Sequence, residues 1–151
     1  MKSILIVMLL TLVCSCAHVE SGRRIKTATY DAVVFTDLIP IQTVKEIEAG
    51  IVDYTIDTIR TNNPSAYRDL SAGQLLDLRR YKRQYSPVFQ EGKPDEEIRE
   101  VRITLISDCF VRDFDWIHIP LVASDGWIGL IYVHYDLKKK RFISAHTGGI
   151  S

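Results

Sequence analysis

The spacing of apolar residues changes period part-way along the chain, and no other feature restricts the fold as much. Between Thr43 and Tyr85 hydrophobic side chains recur three and four residues apart; beyond the polar stretch Glu91-Gly92-Lys93-Pro94 they alternate. The first spacing lines one stripe of a helix, and the second lines one face of a strand. Helices followed by a run of strands is the order of an α+β chain, with the helices gathered on one face of an antiparallel sheet. A length of 151 residues leaves room for one such domain. With 46% hydrophobic and 25% charged residues, the composition excludes a disordered chain. Nineteen Lys plus Arg balance nineteen Asp plus Glu, so the basic excess of a nucleic-acid binder is missing and no nucleic-acid partner is expected.

Residues 30–41 are apolar and β-branched and are stopped by Pro40, which predicts a short strand or extended entry segment. Thr43 and Glu46 form a capping-box pattern that opens a helix with Val44, Ile47, Ile51 and Tyr54 on one stripe. Asn63-Pro64 ends it near Asn62, and Asn63 is suited to cap a new turn with Pro64 at its first position. Ser71 and Gln74 repeat the capping pattern and predict a second helix carrying Leu75, Leu76, Leu78, Tyr81 and Tyr85, closed before Pro87. Strands are expected over 98–106, 114–123, 127–135 and 141–146, with hairpin turns at Asp125-Gly126 and Lys138-Lys139-Lys140. The expected fold is therefore α+β, with N-terminal helices packed on a four-stranded antiparallel meander. Over residues 43–146 this order, with Asp125-Gly126-Trp127 entering a late strand, resembles the NTF2-like and cystatin-like folds. That resemblance implies a curved sheet whose concave face is a pocket or a partner surface. No catalytic motif of those families has a counterpart here.

The N-terminus carries a second resemblance. Lys2 precedes an apolar run over 4–13, broken only by Thr11 and shorter than the ~20 residues that span a bilayer. The run meets Val13-Cys14-Ser15-Cys16, which resembles the lipobox of bacterial lipoproteins. The resemblance implies that Cys16 receives a diacylglycerol, that the signal is cut before it, and that the new N-terminus is acylated. Ala17, where Asp would retain a family member at the inner membrane, implies the outer membrane. A secretory signal cut after Ala17 is the alternative. The expected organisation is a signal peptide over 1–15, a lipid-anchored tether over 16–29, and one α+β domain over 30–151. Cleavage leaves Cys109 as the single thiol of the folded part. No intramolecular disulfide can then form, and Cys109 is expected to be a buried small side chain.

Tight turns at the two hairpins would set Trp116 opposite Tyr135 and Val133 opposite Ile143. One face then carries Trp116, His118, Val122, Trp127, Ile131, Val133, Tyr135 and Ile143; Leu130, Tyr132, Phe142 and His146 lie on the other. Two helices can cover one apolar face, so the other is expected to meet a partner through Trp116, Trp127 and Tyr135. Arg79, Arg80 and Arg83 form a basic cluster on the second helix, suited to lipid phosphate, peptidoglycan carboxylates or an acidic protein face. In this register His118 faces away from His134 and His146, which lie ~13 Å apart, so neither a metal site nor a cofactor is expected. Without a catalytic constellation, the sequence reads as an outer-membrane-anchored lipoprotein. It would be attached through Cys16 and act as a non-enzymatic binding or assembly module for an envelope protein or a second copy of itself. The alternatives are a small-ligand or enzymatic pocket protein drawing on Asp108, Asp115, His118 and His134, and a toxin-immunity or inhibitor lipoprotein.

Overall fold

A computed structural model describes residues 22–89, 98–112, 114–121 and 129–148. Strands β1 (Arg23–Lys26) and β2 (Asp31–Val34) come first, followed by helices α1 (Ile41–Glu48), α2 (Ile51–Asn62) and α3 (Pro64–Ala72). A single 3₁₀ turn, Leu78–Arg80, leads to β3 (Lys82–Val88) and β4 (Glu100–Ile106). The short helix α4 (Asp108–Val111) precedes β5 (Leu130–Asp136) and β6 (Arg141–Thr147). The six strands lie side by side in chain order. β2 and β3 run parallel, which requires a crossover, and residues 35–81 with their three helices supply it. All other neighbouring pairs are antiparallel.

The sheet is thus mixed and six-stranded, not the expected four-stranded meander, although helices and sheet remain segregated. The hairpin ahead of the helices also removes the element order behind the NTF2-like and cystatin-like resemblance. Arg23–Lys26, expected in the tether, forms the edge strand of that hairpin, so the folded part begins before residue 30. The expected helix from Ser71 does not form. Ser71 lies in the last turn of α3, and Tyr85 belongs to β3. Nor is 114–123 a meander strand: its described part, 114–121, runs in turns, and β4 pairs directly with β5. The Asp125-Gly126 turn lies outside the described residues.

Local chemistry explains the helix boundaries. The Asn63 side chain accepts a hydrogen bond from the Ala66 amide at 3.1 Å, with Pro64 at the first helical position. The single helix expected from Thr43 is two, α1 and α2, separated at Ala49-Gly50. α1 starts after Pro40, so Thr43 lies inside its first turn and cannot act as the cap.

The helices cover one face of the sheet. Val44, Ile47, Ile51, Ile59 and Leu70 pack there on Val34, Tyr85, Ile103, Leu105, Ile131 and Val133. Tyr135 lies on that face too, edge-on to Phe142, which stacks on Tyr54 of α2 at 4.5 Å. A smaller core, Val33, Phe35, Ile106, Trp116 and Leu130, occupies the opposite face under residues 114–121. Gln84 fastens that segment down. Its buried amide nitrogen donates to the carbonyls of Trp116 (2.7 Å) and Ile119 (2.8 Å), and its oxygen accepts from the Leu121 amide (2.7 Å). A turn one residue longer than expected and a bulge between His134 and Tyr135 together move the β5–β6 register by two, so Val133 pairs with Ala145, and Ile143 is left half exposed.

Candidate functional site

Strand alternation turns Arg83 and Tyr85 toward the helices and Lys82 and Gln84 away from them. A buried guanidinium is costly unless every donor finds a partner. Arg83, 1% exposed, gives Nη1 to the Tyr81 carbonyl and, at 3.5 Å, to that of Arg79; Nη2 reaches the Leu78 carbonyl at 3.3 Å. The strand's own approach, the Leu78–Arg80 turn, therefore cradles the side chain. Nε lies 3.0 Å from Glu48 Oε1 but off the hydrogen-bond axis, so this contact is an ion pair. The Tyr85 hydroxyl donates to the same oxygen at 2.6 Å, and the Tyr30 ring lies 5.9 Å from the guanidinium. Burial pushes the Glu48 carboxyl above its ordinary range, and Arg83 and Tyr85 offset part of that rise. Burial and the neighbouring Glu48 also push Tyr85 up, so it remains a donor.

Above this cluster opens a cavity of about 880 Å³. Thr27, Thr29 and Tyr30 from the β1–β2 turn form one wall, Lys45, Glu48, Val52 and Asp53 from α1 and α2 the second, and Asp77, Arg79, Arg80 and Arg83 the third. The basic cluster read from the sequence is therefore brought together, though not on a helix. Arg79 and Arg80 project from the 3₁₀ turn and are exposed, whereas Arg83 is a buried strand residue committed to Glu48. Glu48, Tyr30 and Tyr85 were missed. The available signal was Tyr81-Lys82-Arg83-Gln84-Tyr85, where a cation alternates with aromatic residues and so requires a buried acid.

The expected aromatic partner face does not form. Tyr135 is 5% exposed beneath α2, and Trp116 is 5% exposed in the core on the other side of the sheet. Trp127 and Cys16 lie outside the described residues. Arg24 and Lys82 approach the Trp116 ring at 5.6 and 5.8 Å, and both bind Asp31: Arg24 at 3.0 and 2.8 Å, Lys82 at 3.3 Å. These partners hold the Asp31 carboxyl below its usual range, with Arg24 the larger influence.

The remaining candidates are dispersed. The longer turn and the β-bulge together pair His146 with Tyr132, bringing the His134 and His146 rings to 5.9 Å instead of the expected separation. His134 Nδ1 also meets Glu100 Oε1. His118 and Asp115, expected on opposite faces, meet at 2.9 Å because a turn replaces the strand. Neither they nor Asp108 and His134 line the large cavity; Asp108 borders a neighbouring one of about 290 Å³. Cys109, expected in the core, is exposed in α4 with Sγ 2.8 Å from Ser107 Oγ. Among the described residues no group of three His, Cys, Asp or Glu is placed to hold a metal ion. No family model, curated protein or solved structure matches this chain.

Proposed function

We propose that the protein is a lipoprotein anchored in the outer membrane through Cys16, whose folded domain is a non-enzymatic binding module for another envelope component. The Val13-Cys14-Ser15-Cys16 motif supports the anchoring. The observation that carries the binding reading is the 880 Å³ cavity, where Lys45, Arg79 and Arg80 come from two separate elements above the buried Arg83–Glu48 pair. Such a concave site, with a few convergent charged groups on a fixed base, is how proteins generally hold a ligand. With β1 starting at Arg23, the tether from Cys16 reaches at most roughly 25 Å, which would keep the cavity near the membrane surface.

Two experiments test this. Cys16→Ala should abolish labelled-palmitate incorporation and release the protein from membranes or leave an unprocessed precursor. A variant that is processed and still sediments with membranes would refute the anchor. Capture of partners from detergent-solubilised envelope should be lost on Arg79→Glu with Arg80→Glu. Unchanged capture would move the binding surface away from the cavity.

A further inference from the structure

We infer that the cavity takes a small zwitterion, a short peptide or amino acid, with its ammonium at Glu48 and a carboxylate at Lys45 and Arg79. The inference rests on the binding-module reading above and adds the ligand's chemistry. Its first support is Glu48. The carboxylate is 7% exposed, and both of its contacts, Tyr85 and Arg83, fall on Oε1. Among the described residues Oε2 accepts no hydrogen bond, although Glu48 lines the cavity. Oε2 is open to the cavity and not an orphaned buried atom, so it is free to accept an N–H from a ligand placed there.

The second support is the sign of the charges around the rim. Arg83 is paired with Glu48, and Arg80 lies 3.5 Å from Asp108. Lys45 and Arg79 have no acidic partner among the described residues, and Asp53 and Asp77 on the same lining have no basic one. A simple anion entering the site would meet Asp53, Asp77 and Glu48. A simple cation would meet Lys45 and Arg79. A ligand with both signs can pair with each set, which favours a zwitterion over inorganic phosphate or a neutral sugar. The volume of about 880 Å³ lies in the range of pockets that enclose small ligands of this kind.

The test is titration calorimetry on the full chain in detergent, with the dipeptide alanyl-glutamate as probe. Its N-acetylated form, its fully amidated form, N-acetylglucosamine and inorganic phosphate serve as comparisons. Saturable binding of the dipeptide is expected. Either capped form should bind at least about tenfold more weakly, the worth of one charge-assisted hydrogen bond. Arg79→Ala should weaken the parent dipeptide but not the amidated form, and Glu48→Gln should weaken the parent but not the acetylated form. Arg79 is exposed, so its variant carries the test alone if Glu48→Gln does not fold. A soluble cell-wall fragment bearing peptide stems, run alongside, separates a wall source from free peptide; tighter binding of either supports the inference. No binding of the dipeptide to folded protein, equal affinity for the capped forms, or tighter binding of phosphate or the sugar overturns it. If envelope partners are still captured while the dipeptide fails, this inference falls and the binding module stands. If both fail, both fall.

Discussion

Gln84→Leu tests whether one side chain holds the outer core together. The substitution nearly conserves volume, so its effect comes from hydrogen bonding and not from a cavity. It removes two bonds to carbonyls, Trp116 and Ile119, and one from the Leu121 amide. At about 1 kcal/mol net for each, the loss approaches 3 kcal/mol. Ile119 is half exposed, so its carbonyl can regain water, which lowers the expected cost to about 2 kcal/mol. Urea denaturation should show this drop with little change in slope, and the Leu121 amide should lose its protection from hydrogen exchange. A stability change below about 0.5 kcal/mol, with the Leu121 amide still protected, would refute the account of residues 114–121.

Asp31 has its pKa lowered from 3.8, so the stability it contributes is present above the ordinary aspartate range and is lost as pH falls through the lowered value. Denaturation midpoints followed from pH 6 to 2 should therefore fall more steeply in the wild type than in Asp31→Asn; parallel profiles count against the Arg24–Asp31–Lys82 cluster. Gly129→Ala would place a methyl 2.4 Å from both Phe110 Cε2 and Ser107 Oγ. Overpacking there should cost about 1–3 kcal/mol in melting experiments, and a neutral result would contradict the close approach of that turn to α4. The exposed Cys109 thiol should react with Ellman's reagent without denaturant, and Cys109→Ala should change stability by less than about 0.5 kcal/mol; a thiol that reacts only on unfolding would return it to the core.

What could be read from the sequence was local. The Asn63-Pro64 boundary follows from a side-chain oxygen and a missing amide hydrogen, and both act within one turn. Strand β4 lies inside its expected range because Val101, Ile103 and Leu105 alternate with polar residues. The segment 78–88 misled because Leu78, Tyr81 and Tyr85 fit a helical stripe, while Tyr81, Arg83 and Tyr85 fit one strand face equally well. The parallel partner β2 and the buried Glu48 decide between them, and both are distant in sequence. Edge strand β1 is mostly cationic, as edges are when they resist pairing, and so carried no strand signal. Extrapolating the hairpin register failed twice: the turn is one residue longer than expected, so Tyr135 meets Phe142, and the bulge between His134 and Tyr135 shifts the pairs beyond it by one more. Arg79, Arg80 and Arg83 stand out in the sequence by their charge, but Glu48, the acid that Arg83 pairs with, is hidden among ordinary helix residues.

The crossover between β2 and β3 ties the existence of the cavity to a late step of folding. Residues 35–81 must close as one long loop before the β1–β2 turn can meet the Leu78–Arg80 turn, while the β3–β6 meander can assemble from shorter connections. A chain with the hairpin undocked has no cavity, and it also bares the whole length of β3 as a sheet edge open to another chain. One event therefore forms the cavity and hides a seed for aggregation. A ligand held in the cavity would keep the hairpin closed by mass action, so occupancy should lower self-association.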